Sequence, residues 1–264
     1  MTNARSLIVT AVLAAATVGM TPQATAGVQD PVSLEMYCPQ MAGFFPVDHA
    51  VARSLVPAEY EVVEVAPGYA LLQMPIQDCI SVKVDGDEIG STPIIHFWIQ
   101  VTGPEDSVEV MPGVFAQRDY FYSVVEHTDK NLLRKLVSQL GYEGNPIQSL
   151  TLGDVVPTSD GYAVRDGGVV EKVLGNSGGY GYRWHAMVVS FPTVVAPVVH
   201  TFYHTKNAGK RGEADVRCIV WVDGAGPAQL TVDPRSEAAV FGAELTGQAR
   251  HLTMRCNATM WQIK

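Results

Sequence analysis

The chain is short of the local signatures that announce common enzyme classes. No P-loop and no G-x-G-x-x-G dinucleotide fingerprint occurs, although glycine is plentiful at 24 of 264 residues. Gly175 to Gly179 has the spacing of a G-x-S-x-G elbow, but it separates two strand candidates, whereas a nucleophile elbow turns a strand into a helix. The four cysteines, Cys38, Cys79, Cys218 and Cys256, include no C-x-x-C pair, which argues against a zinc site or a dithiol redox motif. Basic residues are also scarce. With 18 Lys and Arg against 27 Asp and Glu, the formal charge is −9, so nucleic acid and anionic membranes are excluded as partners.

There is no apolar run of the roughly 20 residues that a membrane-spanning helix needs. The longest such start, Leu7 to Val18, follows Arg5 and precedes Ala24-Thr25-Ala26. A charged start, a short apolar core and an A-x-A site define a secretory signal peptide over residues 1–26, and therefore a secreted, extracytoplasmic protein. The remaining 27–264 suffices for a single large β-rich domain. An even cysteine count in an exported chain implies two disulfides with three connectivities open. Cys38 with Cys79 and Cys218 with Cys256 is preferred, because each pair joins segments expected to be neighbouring strands.

Local patterns predict mostly strands. Ser33 to Cys38 is a lead-in strand. Asp48 is an N-cap for a short helix that carries Val51 and Leu55 on one face and stops at Pro57. Tyr60 to Val65 and Gly68 to Met74 form a hairpin. Ile80, Val82 and Val84 alternate with polar residues, and Pro93 to Val101 is apolar enough to be covered on both faces. A second helix follows Thr128-Asp129, with Leu132, Leu133, Leu136, Val137 and Leu140 as its stripe. Gly161 to Arg165, Val169 to Leu174, Tyr180 to Ser190, His200 to Thr205, Glu213 to Val222 and Arg250 to Ile263 are further strands. Pro192 and Pro197 argue against a regular strand between Phe191 and Val199. Asp233, with Pro234 behind it, opens a third helix to Ala243.

In this order the passages FPVDHAVARSLVPAEYEVV, VVEHTDKNLLRKLVSQLGY, YHTKNAGKRGEADV and DPRSEAAVFG resemble the acetoacetate decarboxylase-like superfamily. The resemblance implies an α+β fold, mainly antiparallel, in which a curled sheet or cone-like β-barrel with a few peripheral helices surrounds a small-molecule pocket. It also implies a lyase-type enzyme acting on a small carbonyl or carboxylate compound without a cofactor. Family decarboxylases use a lysine Schiff base beside a second lysine, and an amine must be neutral to attack a carbonyl. This chain has no Lys-Lys pair. Lys172, between Val170 and Leu174 on one strand face, is the amine best placed by pattern. Glu88 in GDEIGSTPIIHF falls where the family has its acidic pocket residue. The family's pocket arginine has no counterpart; Cys38 stands near that place.

Other polar residues add candidates for binding. His200, Phe202 and His204 share a face if HTFYH is a strand, and His96, His185 or a carboxylate could add a ligand, yet the set falls short of a metal site and none is assigned. Glu126 and His127 lie near Tyr120 and Tyr122 as a polar-aromatic cluster suited to proton transfer. Two readings result: an exported enzyme on this scaffold, or a secreted small-molecule-binding protein that keeps the barrel without chemistry. A lysine or two carboxylates in the pocket would favour the enzyme. Self-association as a homo-oligomer is left open.

Overall fold

The computed structural model describes residues 31–140, 147–151, 155–157, 162–173, 180–206 and 210–263. The signal-peptide expectation thus lies outside the described residues. Strand β1 (Val32–Asp48) runs directly into α1 (His49–Leu55), and the Asp48 side chain accepts from Val51 N as the expected cap. The inward residue of this short helix is Ala52, with Val51 and Leu55 half-buried beside it. There follow β2 (Glu64–Ala66), β3 (Tyr69–Cys79), β4 (Ser81–Val84), β5 (Asp87–Glu88), β6 (Thr92–Val101), β7 (Ser107–Met111) and β8 (Val114–Thr128). Helix α2 (Asn131–Leu140) separates these from β9 (Ile147–Thr151), β10 (Val155–Pro157), β11 (Tyr162–Val173), β12 (Tyr180–Lys206), β13 (Lys210–Val232) and β14 (Glu244–Ile263).

The 14 strands join in a single sheet whose path runs β12, β13, β14, β1, β3, β6, β8; the short β7 extends it from β8. The path closes on itself. β8 returns to β12 through a parallel pairing of Arg118–Tyr122 with Val199–Tyr203, whereas the other pairings are antiparallel. The sheet thereby curls into a ring that is not a regular barrel, mainly antiparallel with few helices, as the resemblance implied.

Side chains alternate between the two faces of this ring. Inside lie Leu34, Cys38, Ile94, Trp98, Phe121, Phe202, Cys218 and Met254. Outside, Phe45, Leu72, Met74, Ile76, Ile95, Phe97 and Ile99 pack beneath Ala52, Val62 and Ala238. The apolar run of β6 is explained by this arrangement, since both its faces are covered. Each fully buried Phe, Leu or Ile contributes about 1.5–3 kcal/mol. The two disulfides, Cys38–Cys79 and Cys218–Cys256, belong to the interior cluster, and Cys218 and Cys256 face each other in the β13–β14 register. The preferred pairing is the observed one.

Several local expectations are corrected. Pro192 and Pro197 do not end β12. Its β11 partner stops at Val189 and its β8 partner starts at Val199, so both prolines lie where β13 alone is the neighbour, and Pro192 falls in a bulge between Ser190 and Val194. Asp233 does not open a helix, because its carboxylate accepts from Arg235 N and from the Arg235 guanidinium, which holds a turn; only a 3-10 turn at Glu237–Phe241 follows. Ile80 is exposed between β3 and β4. On α2, Leu133 is buried and Leu136 packs against the interior cluster, but Leu132 points to solvent.

Candidate functional site

Every strand of the closed path sends side chains to one interior cavity: Leu34 and Met36 from β1, Gln77 from β3, His96 and Trp98 from β6, Glu126 from β8, His200 and Phe202 from β12, and Met254 from β14. Leu133 of α2 also lines it, so one residue of the leucine stripe of that helix reaches the cavity wall. The enclosed volume is about 60 Å³, enough for a few water-sized groups. A larger space of about 530 Å³ adjoins it and shares Trp98, His200 and Met254, with Gln40, Phe44, Gln73, Asp119 and Arg250 also on its wall. Gln77 donates to Gln40 at 2.7 Å across the boundary between the two.

The polar chemistry of the interior is two histidine-carboxylate pairs around one indole. His96 Nδ1 is 3.3 Å from Glu126 Oε2, and the side chains are 12% and 10% exposed. The contact is misaligned, leaving the buried Nδ1 without a hydrogen bond. Adjacent strands bring these residues together, since His96 and Glu126 are direct partners in the β6–β8 register. His96 packs tilted against Trp98 at 4.6 Å between centroids, and Trp98 packs on Phe202 at 4.3 Å. Beyond the indole, His200 Nε2 is 3.8 Å from Asp119 Oδ2. Burial pushes the His200 imidazole below its usual 6.5, with Asp119 opposing, so a neutral ring is favoured.

The structure separates the sequence candidates. Glu126, His200 and His204 point to the ring interior, although His204 lies beyond the cavity walls, buried in the row where β12 and β14 flank Gly212. Tyr122 does not join them. It packs outside the sheet with Tyr60 at 5.7 Å, in a cluster where Tyr60 stacks on Tyr203 at 4.8 Å. His127 is likewise on the outer face, edge-on to Phe97. Glu88 is exposed on the β4–β5 hairpin, where it accepts from Ser81 Oγ and Gly90 N, so the acid facing the cavity is Glu126 instead. Lys172 pairs with Ser149 in the β9–β11 register, but its side chain lies outside the described residues, as does that of His185. Among the described residues no lysine lines either space, and none form a group of three or more metal-ligating side chains.

His96 is the residue that sequence reasoning undervalued. Its signal was there: one ionisable side chain in the most apolar strand of the chain, on the same face as Trp98.

This ring of strands shares its fold with solved structures of acetoacetate decarboxylase-like proteins. The sequence matches no family model and no curated protein. Solved structures do match. An acetoacetate decarboxylase-like enzyme from Sphingomonas wittichii RW1 superposes with a TM-score of 0.54 at 13% identity, over 88% of this chain and 90% of the other. Acetoacetate decarboxylase from Legionella pneumophila gives 0.54 at 9% identity, over 85% and 84%. The enduracididine biosynthesis enzyme MppR, complexed with the condensation product of pyruvate and imidazole 4-carboxaldehyde, gives 0.52 at 12%, over 87% of each chain.

Proposed function

We propose that the protein is an exported, lyase-type enzyme that moves protons on a small carbonyl or carboxylate compound held inside the ring. The observation that carries this reading is the His96–Glu126 pair, 12% and 10% exposed, facing the interior cavity. A carboxylate beside Nδ1 favours the proton on that nitrogen and leaves the Nε2 lone pair as a base. The misaligned 3.3 Å contact is compatible with this role, because catalytic hydrogen bonds in unliganded sites are often long or poorly aligned. The base would take the proton from the carbon next to the carbonyl; the C–H electron pair would form the carbon–carbon double bond and the C=O π pair would move onto the oxygen, giving an enolate. The neutral imidazole of His200 is available to donate to that oxygen.

Pyruvate-derived ligands on the same fold in MppR support a small carbonyl compound. Against a purely binding role stands the convergence of Glu126 and Asp119 on the interior. Export is supported by the N-terminal pattern and the two disulfides. The test is deuterium exchange: pyruvate and 2-butanone are incubated with the protein in heavy water, and label next to the carbonyl is followed by NMR. Glu126→Gln and His96→Gln should slow exchange by about 10²–10⁴-fold. No exchange above buffer in the native protein would overturn the reading and leave the binding alternative.

A further inference from the structure

The two interior spaces differ in size and in character. The smaller holds the His96–Glu126 pair, and the larger is walled chiefly by aliphatic side chains, among them Val198, Val220, Val222 and Leu252. Val194 on that wall is 55% exposed although it faces the ring interior, so apolar surface there is open for a ligand to cover. Charge is also unevenly placed. Asp119 and Glu126 sit beside His200 and His96, where the two spaces meet and at the inner end. The cation on the wall, Arg250, lies in an exposed position over the Phe44 ring, 5.1 Å from its centroid. Among the described residues no lysine or further arginine lines the interior. An ionised carboxylate at the inner end would therefore meet two like charges and a neutral imidazole.

We propose that the interior selects an uncharged carbonyl compound with a medium-length alkyl or aryl tail, its carbonyl between His96 and His200 and its tail in the larger space. This deepens the proton-transfer reading and rests on the interior being the reactive site. Burial of the tail away from water supplies the affinity, while Asp119 and Glu126 discriminate against oxo acids.

The test compares methyl ketones from 2-butanone to 2-nonanone with 2-oxo acids of matched length, by titration calorimetry on the native protein. Ketone affinity should rise about fourfold per added methylene, equivalent to ~0.8 kcal/mol, until the tail fills the space. Ketones should bind at least tenfold more tightly than the matched acids, and Asp119→Asn should narrow that gap. Ala196→Phe, which intrudes on the larger space, should shorten the preferred chain. Affinity independent of length, or oxo acids that bind as well as ketones, would overturn the proposal, the latter pointing to Arg250 as an anion anchor. Binding is also measured with His96→Gln. A ketone series that holds in a protein without exchange activity would sink the acid-base reading alone.

Discussion

Tyr122 and Glu126 stand on the same strand an even number of residues apart, yet they face opposite sides of the sheet. The cause is Val124. The β6–β8 register passes from Phe97 opposite Val125 to Trp98 opposite Ser123, so Val124 is the extra residue of a bulge. Val124 and Val125 both pack outward, which puts Asp119, Phe121 and Ser123 inside on one side of the bulge and Glu126 inside on the other.

Deleting Val124 should leave the fold standing. Val125 would then follow Ser123 directly, and regular alternation keeps Phe121, Ser123 and Glu126 inside and Tyr122 and Val125 outside, opposite the same β6 partners. The deletion should cost about 1–3 kcal/mol through the lost outward packing of Val124 and the straightened strand. Val124→Ala, which keeps the bulge, should cost only about 1 kcal/mol. Circular dichroism and urea unfolding of the two variants separate the effect of the bulge from that of packing, and a deletion variant that does not fold would show that the bend itself is required.

Gly247 should resist any side chain. A Cβ there would lie 2.1 Å from the Phe44 carbonyl oxygen and 2.9 Å from the Phe45 ring. The oxygen belongs to the backbone of β1, paired at that point with β14, and cannot swing aside as a flexible side chain would. Gly247→Ala is expected to lower stability by about 1–3 kcal/mol, read as a lower urea midpoint at unchanged slope.

Stability should fall toward both pH extremes through identifiable groups. Burial holds folded His200 below 6.5, so the unfolded chain takes up that proton first, and the stability this contributes above pH 6.5 is lost as pH falls through the folded value. Tyr203 is displaced the other way, from 10.0 up to about 12, chiefly by burial and then by Glu213, Tyr120 and Tyr60. Its contribution is complete below pH 10.0 and is lost as pH rises toward about 12. Urea midpoints across pH should show a shallower acid limb for His200→Gln and a shallower alkaline limb for Tyr203→Phe. Unchanged limbs would assign the slopes to other groups.

Much of the scaffold was legible because it is written locally. The Asp48 cap, the alternation along β4 and the apolar run of β6 each report their own environment. The cysteine pairing followed from which strands are neighbours. What escaped reading depends on partners distant in sequence. Gly167 and Gly168, Pro192 and Pro197 look like strand ends, but their neighbours turn them into irregularities inside long continuous strands. The bulge at Val124 exists only opposite β6. For the same reason the sequence pattern groups Glu126 with Tyr122 and His127 and offers its true partner His96 only as a spare metal ligand. The Asp233–Arg235 ion pair shows a further limit: a good N-cap residue also makes a good turn, and the neighbouring arginine decides between them.

The last expectation concerns the lysine. Family decarboxylation needs an amine in the pocket, and among the described residues the cavity walls present imidazoles and carboxylates but no lysine. Borohydride reduction in the presence of acetoacetate should therefore leave every lysine unmodified, as judged by intact mass and peptide mapping. Lys83 should be inert in any case, since it is exposed and paired with Glu35 at 3.2 Å. An adduct on Lys172 would place that side chain in the cavity and replace proton transfer by His96 with Schiff-base chemistry. Deuterium exchange that persists in a Lys172→Met variant, and disappears in His96→Gln, would decide for the histidine.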